Sequence, residues 1–303
     1  MKYRELKINV LKDNLEYLND FLDSLGTEGY YEILFDSERP RPPGGEIIRD
    51  DTSVNVYLDE KDLEKELKVI IFLKSNYPDS SYCESRIVET REFEDAYKEF
   101  YKPFEIGDKF CIIPVWEKES EQALSLIQKN KIPLYMNPGM AFGTGHHETT
   151  KLMLSRIPHL VREGQRIVDM GTGSGILSIA AAKLGVSQIL SFDIDPNAVK
   201  ASQYNKSENI FHKDILYSIE EGGFDHESLL DYEFDLLLAN ITFAVISKNI
   251  NHIVKYKTNH FLFSGIITER KEDAFKLFKE KLGGSLIYSE EFNGWEIIEW
   301  KKD

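Results

Sequence analysis

A chain of 303 residues, 42% hydrophobic and 29% charged, has room for two domains and the composition of an ordinary globular protein. Its formal net charge of −15 is gathered towards the front, where residues 1–130 carry 18 Lys and Arg against 29 Asp and Glu. That balance argues against nucleic acid as a direct ligand, because phosphate neutralisation needs a basic surface, and it suits a basic protein partner. No apolar run reaches the length of a membrane span, and MKYRELKINV has no signal-peptide core, so a cytoplasmic location is expected. Without a secretion signal, the glycosylation sequons at Asn205 and Asn240 are chance matches. Cys83 and Cys111 are too few for a disulfide framework or a zinc site.

The front of the chain alternates regularly. Hydrophobic patterning predicts strands at 3–10, 29–36, 52–58 and 82–90 and helices at 13–25 and 60–75, with the RPPGG run at 40–45 breaking the chain between the middle strands. The order βαββαβ is the ferredoxin-like split pattern, so residues 1–100 read as a small α+β domain. Residues 101–130 read as a connector, entered through an acidic helix at 91–101. It carries a strand near Lys109–Val115 and a polar helix near Ser120–Asn130. From Lys131 to Asp303 the pattern turns to α/β. Strands are predicted at 166–170, 187–193, 209–212, 234–239, 259–264, 284–291 and 295–300, mostly with helices between them. Asp195 and Pro196 start one of those helices, as N-cap and first helical residue.

The stretch IVDMGTGSGILSIAAAKLGVSQILSFD, residues 167–193, carries the chemistry. It orders an apolar strand, a glycine turn, a helix, a second strand and an acid at that strand's end. Gly171, Gly173 and Gly175 let the backbone turn sharply and approach a ligand without β-carbons in the way. Asp193 follows Gly171 by 22 residues, where a carboxylate can accept ribose hydroxyls. A dinucleotide fingerprint would place its third glycine one residue later, at Ile176, and would not tolerate Asp169 beside a pyrophosphate. A carboxylate there suits a cationic ligand. D-x-G-x-G-x-G resembles the pattern of Rossmann-like methyltransferases, whose cofactor S-adenosylmethionine carries an ammonium, a sulfonium and no phosphate.

Two further segments sharpen the reading. DLLLANIT (235–242) is an apolar strand ending in Asn240. Ligands collect at such carboxyl ends, and an amide oxygen there can accept a hydrogen bond from an incoming amine. The plainer reading of Asn240 is a cap on the following helix. NPGMAFGTGHHETTKLML (137–154) places a flexible glycine turn and Phe142 before a helix that starts near His147, so that Phe142 could lie across the cofactor pocket. A zincin reading of His147-Glu148 fails, because the second histidine would fall at Lys151.

AFGTG-x-H-x-TT upstream of the D-x-G-x-G-x-G strand, with Ala-Asn-Ile after the fourth strand, is similar to the PrmA family, the methyltransferases of large-subunit ribosomal protein eleven. KPFEIGDKFCIIPVWE (102–117) extends the resemblance towards the front of the chain. The resemblance implies a class I methyltransferase domain behind a ferredoxin-like substrate-recognition domain. It also implies S-adenosylmethionine as cofactor and a basic ribosomal protein as substrate, methylated on lysine or N-terminal amino groups. By motif position it assigns Thr150, Gly171, Asp193 and Asn240 to the cofactor site, Thr150 on this ground alone. The chain departs from the family at His146-His147-Glu148 and at Thr242. Other readings are a class I methyltransferase acting on another protein or a small molecule, and a non-catalytic module that only binds the cofactor. A nicotinamide oxidoreductase would need a glycine at 176. A monomer is the default expectation.

Overall fold

The computed structural model describes residues 2–27, 29–33, 51–77, 81–89, 98, 101–137, 143–211 and 214–303. The chain divides into two compact units, Met1–Phe100 and Tyr101–Asp303.

In the first unit the order is β1 (Lys2–Leu11), α1 (Leu15–Leu25), β2 (Gly29–Ile33), β3 (Asp51–Asp59), α2 (Leu63–Asn76) and β4 (Ser81–Glu89). The strands lie in the order β2-β3-β1-β4, every neighbouring pair antiparallel. That is the ferredoxin-like arrangement. It follows from period-two patterning: Leu6, Ile8 and Val10 of β1 and Val54, Val56 and Leu58 of β3 bury one face of the sheet against Leu18, Leu22, Val69 and Leu73 of the two helices. Asp62 caps α2, accepting from the Lys65 amide at 3.0 Å, so the helix begins at Leu63 rather than at its acidic entry. The RPPGG run, and most of the acidic helix expected at 91–101, lie outside the described residues.

The second unit opens with a small sheet of β5 (Phe104–Ile106), β6 (Phe110–Pro114) and β7 (Ile132–Met136). α3 (Glu121–Gln128) crosses between β6 and β7, which pair in parallel, and Ser120 caps it. After α4 (Glu148–Leu160) come β8 (Arg166–Met170), α5 (Ile176–Lys183), β9 (Gln188–Asp193), α6 (Pro196–Ser207) and β10 (Leu216–Glu221). The chain continues through β11 (Leu236–Asn240), α7 (Phe243–Ile253), β12 (His260–Ile267), α8 (Lys271–Lys281), β13 (Ser285–Phe292) and β14 (Trp295–Lys301). Strands β8 to β14 form one sheet in the order β10-β9-β8-β11-β12-β14-β13. The first five in that order are parallel, and β14 runs antiparallel to both β12 and β13. This is the Rossmann-like arrangement of class I methyltransferases.

The structure moves one strand from its expected place. The strand expected at 209–212 lies at Leu216–Glu221 instead. Asn209 leaves α6 and turns its side chain onto β7, accepting from the Tyr135 amide at 3.1 Å and donating to the Tyr135 carbonyl at 2.7 Å. Ile210 is 86% exposed, so the apolar Ile-Phe pair that suggests a strand does not bury as one.

The sheet order fixes where a ligand can sit. Chain connections leave β8 in one direction towards β9 and β10 and in the other towards β11 and β12. The carboxyl ends of β8 and β11 therefore flank the topological switch point.

Candidate cofactor and catalytic site

β8 is buried from Ile167 to Met170 and runs straight into the turn 171–175. Gly171, Gly173 and Gly175 all have positive φ, at 72°, 54° and 82°, a backbone region that costs an ordinary residue roughly 1–2 kcal/mol. Space excludes side chains at two of them as well. A β-carbon on Gly171 would fall 2.5 Å from Ile241 Cγ2, and one on Gly175 would fall 2.4 Å from Ser202 Oγ. Gly175 then serves as N-cap of α5, whose first residues are buried under the sheet.

Two carboxylates border this turn. Asp169 is 1% exposed. Its Oδ2 accepts from Thr172 Oγ1 at 2.8 Å and from Ser178 Oγ at 2.6 Å, and its Oδ1 has no hydrogen-bond partner. Burial pushes the carboxyl up to about 6. The Ser178 and Thr172 hydroxyls oppose that shift, and the Asp193 charge adds to it. Asp193, at the end of β9, accepts from the Gly173 amide at 2.8 Å through Oδ2 and from the Asp195 amide at 3.0 Å through Oδ1. Burial raises its pKa too, against the pull of those backbone donors. Each Asp193 oxygen keeps a lone pair for a further donor. Asp195 is occupied elsewhere as the cap of α6, accepting from the Asn197 amide at 2.8 Å.

Asn240 closes β11 on the other side of the switch point, 8% exposed. Its Nδ2 donates to Thr150 Oγ1 at a long 3.4 Å, and its Oδ1 is buried without a partner. The helix-cap alternative does not hold, because the N-cap position of α7 is Thr242. Thr150, fully buried on α4, is brought to Asn240 across 90 residues of sequence. Phe142 lies outside the described residues.

The segment before α4 is anchored to the turn. Ser174 Oγ donates to the Gly143 carbonyl at 2.7 Å. The fully buried Asn205 accepts from the Asn137 amide at 2.7 Å and donates to the Ser174 carbonyl at 2.9 Å. His147 caps α4 through Nδ1, 3.3 Å from the Thr149 amide, and its ring meets Trp295 edge-on. His146 stacks on Phe104 at 4.3 Å between ring centroids. Burial lowers both imidazole pKa values, that of His146 to about 4, so both rings are neutral at physiological pH. Ser174, Ser178 and Asn205 escape a reading of the sequence. The one available signal is a serine inside the apolar helix ILSIAAAK, where a buried hydroxyl has to find a partner.

The set of acceptors can receive a cationic nucleoside. It offers an acid free to receive hydroxyls, a second buried acid with one open oxygen, a turn without β-carbons at closest approach, and an open amide oxygen at the end of the adjacent strand.

Comparison with known proteins agrees along the whole chain. A family model described as ribosomal protein L11 methyltransferase (PrmA) matches residues 2–303. A relative of that name from Leptospira interrogans serogroup Icterohaemorrhagiae serovar copenhageni is 53% identical over 302 residues, 100% of this chain and 99% of the relative. Another of that name, from Caldicellulosiruptor saccharolyticus, is 31% identical over 326 residues with both chains covered in full. The crystal structure of a ribosomal protein L11 methylase from Lactobacillus delbrueckii subsp. bulgaricus superposes with a TM-score of 0.56 at 27% identity. It covers 67% of this chain and 100% of that one.

Proposed function

From the membership of this chain in the ribosomal protein L11 methyltransferase (PrmA) family, we propose that it methylates amino groups of ribosomal protein L11, with Asn240 holding the acceptor amine. The chain is an S-adenosylmethionine-dependent protein methyltransferase by family. Its residues fit that cofactor: Asp193 for the ribose hydroxyls, Asp169 for the ammonium, Gly171, Gly173 and Gly175 for close approach, and Thr150 beside Asn240; Phe142 is proposed as a further contact from its place in the sequence alone. When bound, the cofactor supplies an electrophilic methyl on its sulfonium. The observation that carries the proposal is the unpartnered Asn240 Oδ1 at the carboxyl end of β11. It can accept from an amine N–H and so aim the nitrogen lone pair, a contribution of orientation rather than of proton transfer.

The amine must be neutral to attack. A lysine of pKa near 10.4 at pH 7.5 lies about three units from neutrality, roughly 4 kcal/mol, whereas an α-amine near 7.8 is almost there already. His146 and His147 are neutral but engaged, one stacked on Phe104 and one capping α4. Proton loss to solvent before the transfer is the simplest route.

The acidic residues 1–100 are proposed to recruit the basic substrate and to take no part in the chemistry. The proposal is tested by incubating the protein with labelled methyl donor and purified ribosomal protein L11. Label is expected on L11 amines, and Asn240→Ala should cut single-turnover rate strongly while keeping most cofactor affinity. A wild-type rate in that variant removes Asn240 from the reaction. Label on other ribosomal proteins but not on L11 rejects the substrate.

A further inference from the structure

Behind the glycine turn, on the face of the sheet covered by α5 and α6, lies a group of hydroxyls that none of these roles uses. Asp169 on β8 stands in register with Ser191 on β9, and Ser191 with Ile219 on β10. Tyr217, two residues before Ile219, shares that face. Ser178 of α5 bridges the strands: its Oγ is 2.6 Å from Asp169 Oδ2 and 2.7 Å from Ser191 Oγ. A hydroxyl has one proton. If Ser178 gives its proton to the carboxylate, Ser191 must give its own to Ser178, and the pair acquires a fixed direction ending on Asp169. Such aligned bonds strengthen one another. The buried Tyr217 hydroxyl lies close enough to Ser178, Ser191 and Ser202 that all three help to hold its pKa down against burial. The Tyr217 and Ser202 hydroxyls are buried without a hydrogen-bond partner, and Ser202 Oγ abuts Gly175. Ser178, Ser191 and Ser202 are all fully buried. Alanine would pack as well there without the cost of dehydrating a hydroxyl.

We propose that Ser191 and Ser178 form a directed hydrogen-bond relay that orients the Asp169 carboxylate for the ammonium end of the methyl donor. Ser178 and Ser191 are thus positioning residues for cofactor binding. The inference rests on the assignment of Asp169 to the ammonium given above. The titratable groups facing Asp169 are Asp193 from β9 and Tyr217 from β10. Thr172 and Ser178 are its uncharged donors.

The test is calorimetric binding of two probes to the full-length protein between pH 5 and pH 8. S-adenosylhomocysteine keeps the amino-acid end, whereas 5′-methylthioadenosine keeps the nucleoside and lacks the ammonium. For wild type, S-adenosylhomocysteine affinity should fall on acidification through about 6, and methylthioadenosine should follow only the titration of Asp193. Ser178→Ala removes a donor to the carboxylate and should move the first midpoint up by about one pH unit. Ser191→Ala leaves that donor in place and should move it by about half as much. Neither should move the methylthioadenosine curve. Fluorescence melts of both variants establish that they fold. Variants that bind S-adenosylhomocysteine more weakly at every pH, with the wild-type midpoint, reduce the hydroxyls to packing and overturn the relay. A wild type with identical pH curves for both probes overturns it at its root, by removing Asp169 from the ammonium. Absence of S-adenosylhomocysteine binding at any pH would instead reject the proposed cofactor site.

Discussion

Replacing Gly265 by alanine tests whether the close approach of β12 to the end of β11 shapes the site. Gly265 has a φ of 82°. A β-carbon there falls 2.4 Å from the Ile241 carbonyl oxygen, 2.6 Å from its carbon and 3.0 Å from its nitrogen. All three are backbone atoms, so no change of rotamer relieves the overlap. The left-handed conformation costs alanine about 1–2 kcal/mol, and forcing packed strands apart costs about 1–3 kcal/mol. Together they predict a loss of about 2–5 kcal/mol out of a typical total of ~5–15 kcal/mol. Gly164 supplies the control, with a φ of 81° and nothing within 4 Å of where its β-carbon would stand; its alanine variant should lose only about 1–2 kcal/mol. Trp116, Trp295 and Trp300 all lie in the second unit, so urea titration followed by tryptophan fluorescence reports that unit alone. A shifted midpoint with an unchanged slope is the expected form of the loss. Ile241 directly follows Asn240, so methyl transfer by Gly265→Ala should also slow under conditions where the protein is fully folded. Equal losses at Gly265 and Gly164 would refute the overlap argument, and an unchanged transfer rate would refute its link to Asn240.

Asp193→Ala should weaken S-adenosylmethionine binding by roughly 2 kcal/mol, the scale of hydrogen bonds to a charged group; unchanged affinity by calorimetry would take Asp193 out of the site. Asp169 has a folded pKa of about 6 against an ordinary 3.8, so its contribution to stability is present below pH ~4 and is lost as pH rises through about 6. Asp169→Asn should therefore stabilise the ligand-free protein at pH 7 by up to about 3 kcal/mol while weakening the cofactor, and a lower melting temperature for the variant would contradict the burial argument. The isolated second unit, residues 101–303, should bind the methyl donor yet lose nearly all activity on intact ribosomal protein L11; undiminished efficiency would show that the acidic first unit is not the docking surface. Salt should weaken substrate affinity in the full-length protein, because exposed charges are screened beyond roughly 8 Å at physiological ionic strength.

What can be read in the sequence is what is local. The β8–turn–α5–β9 passage announces itself because a wholly buried parallel strand is apolar throughout and its turn demands glycine at fixed places. The first unit is legible for the opposite reason. Its sheet has one face on the helices, so Leu6, Ile8 and Val10 alternate with more polar residues. β10 escapes because it lies at the sheet edge. Leu216 is 65% exposed, and among its residues only Tyr217 is buried, which leaves the pattern of a loop. Asn209 misleads because its amide imitates a strand neighbour for Tyr135 without belonging to one.

The site divides in the same way. Asp169, the three glycines and Asp193 fall within one supersecondary unit, and their spacing alone relates them. Thr150 meets Asn240 only through the packing of α4 over β11, and nothing in a helix-face threonine marks that contact in advance. Ser178 and Asn205 act through partners on other elements.

The two open oxygens, Asp169 Oδ1 and Asn240 Oδ1, give these separate features a common energetic sense. An unsatisfied buried acceptor costs about 1–3 kcal/mol, more when it is charged. Both therefore weigh against the ligand-free fold, and both lie at the carboxyl ends of adjacent parallel strands. A ligand bringing an ammonium to one, and an amine substrate bringing an N–H to the other, would recover what the fold gives up. Burial that raises the Asp169 pKa also strengthens its attraction for a cation, since the surrounding dielectric is low. Stability and binding are thereby opposed at one residue. A substitution that relaxes the empty fold at Asp169 should loosen the cofactor, and a cofactor that binds there should raise the melting temperature of wild type more than that of Asp169→Asn.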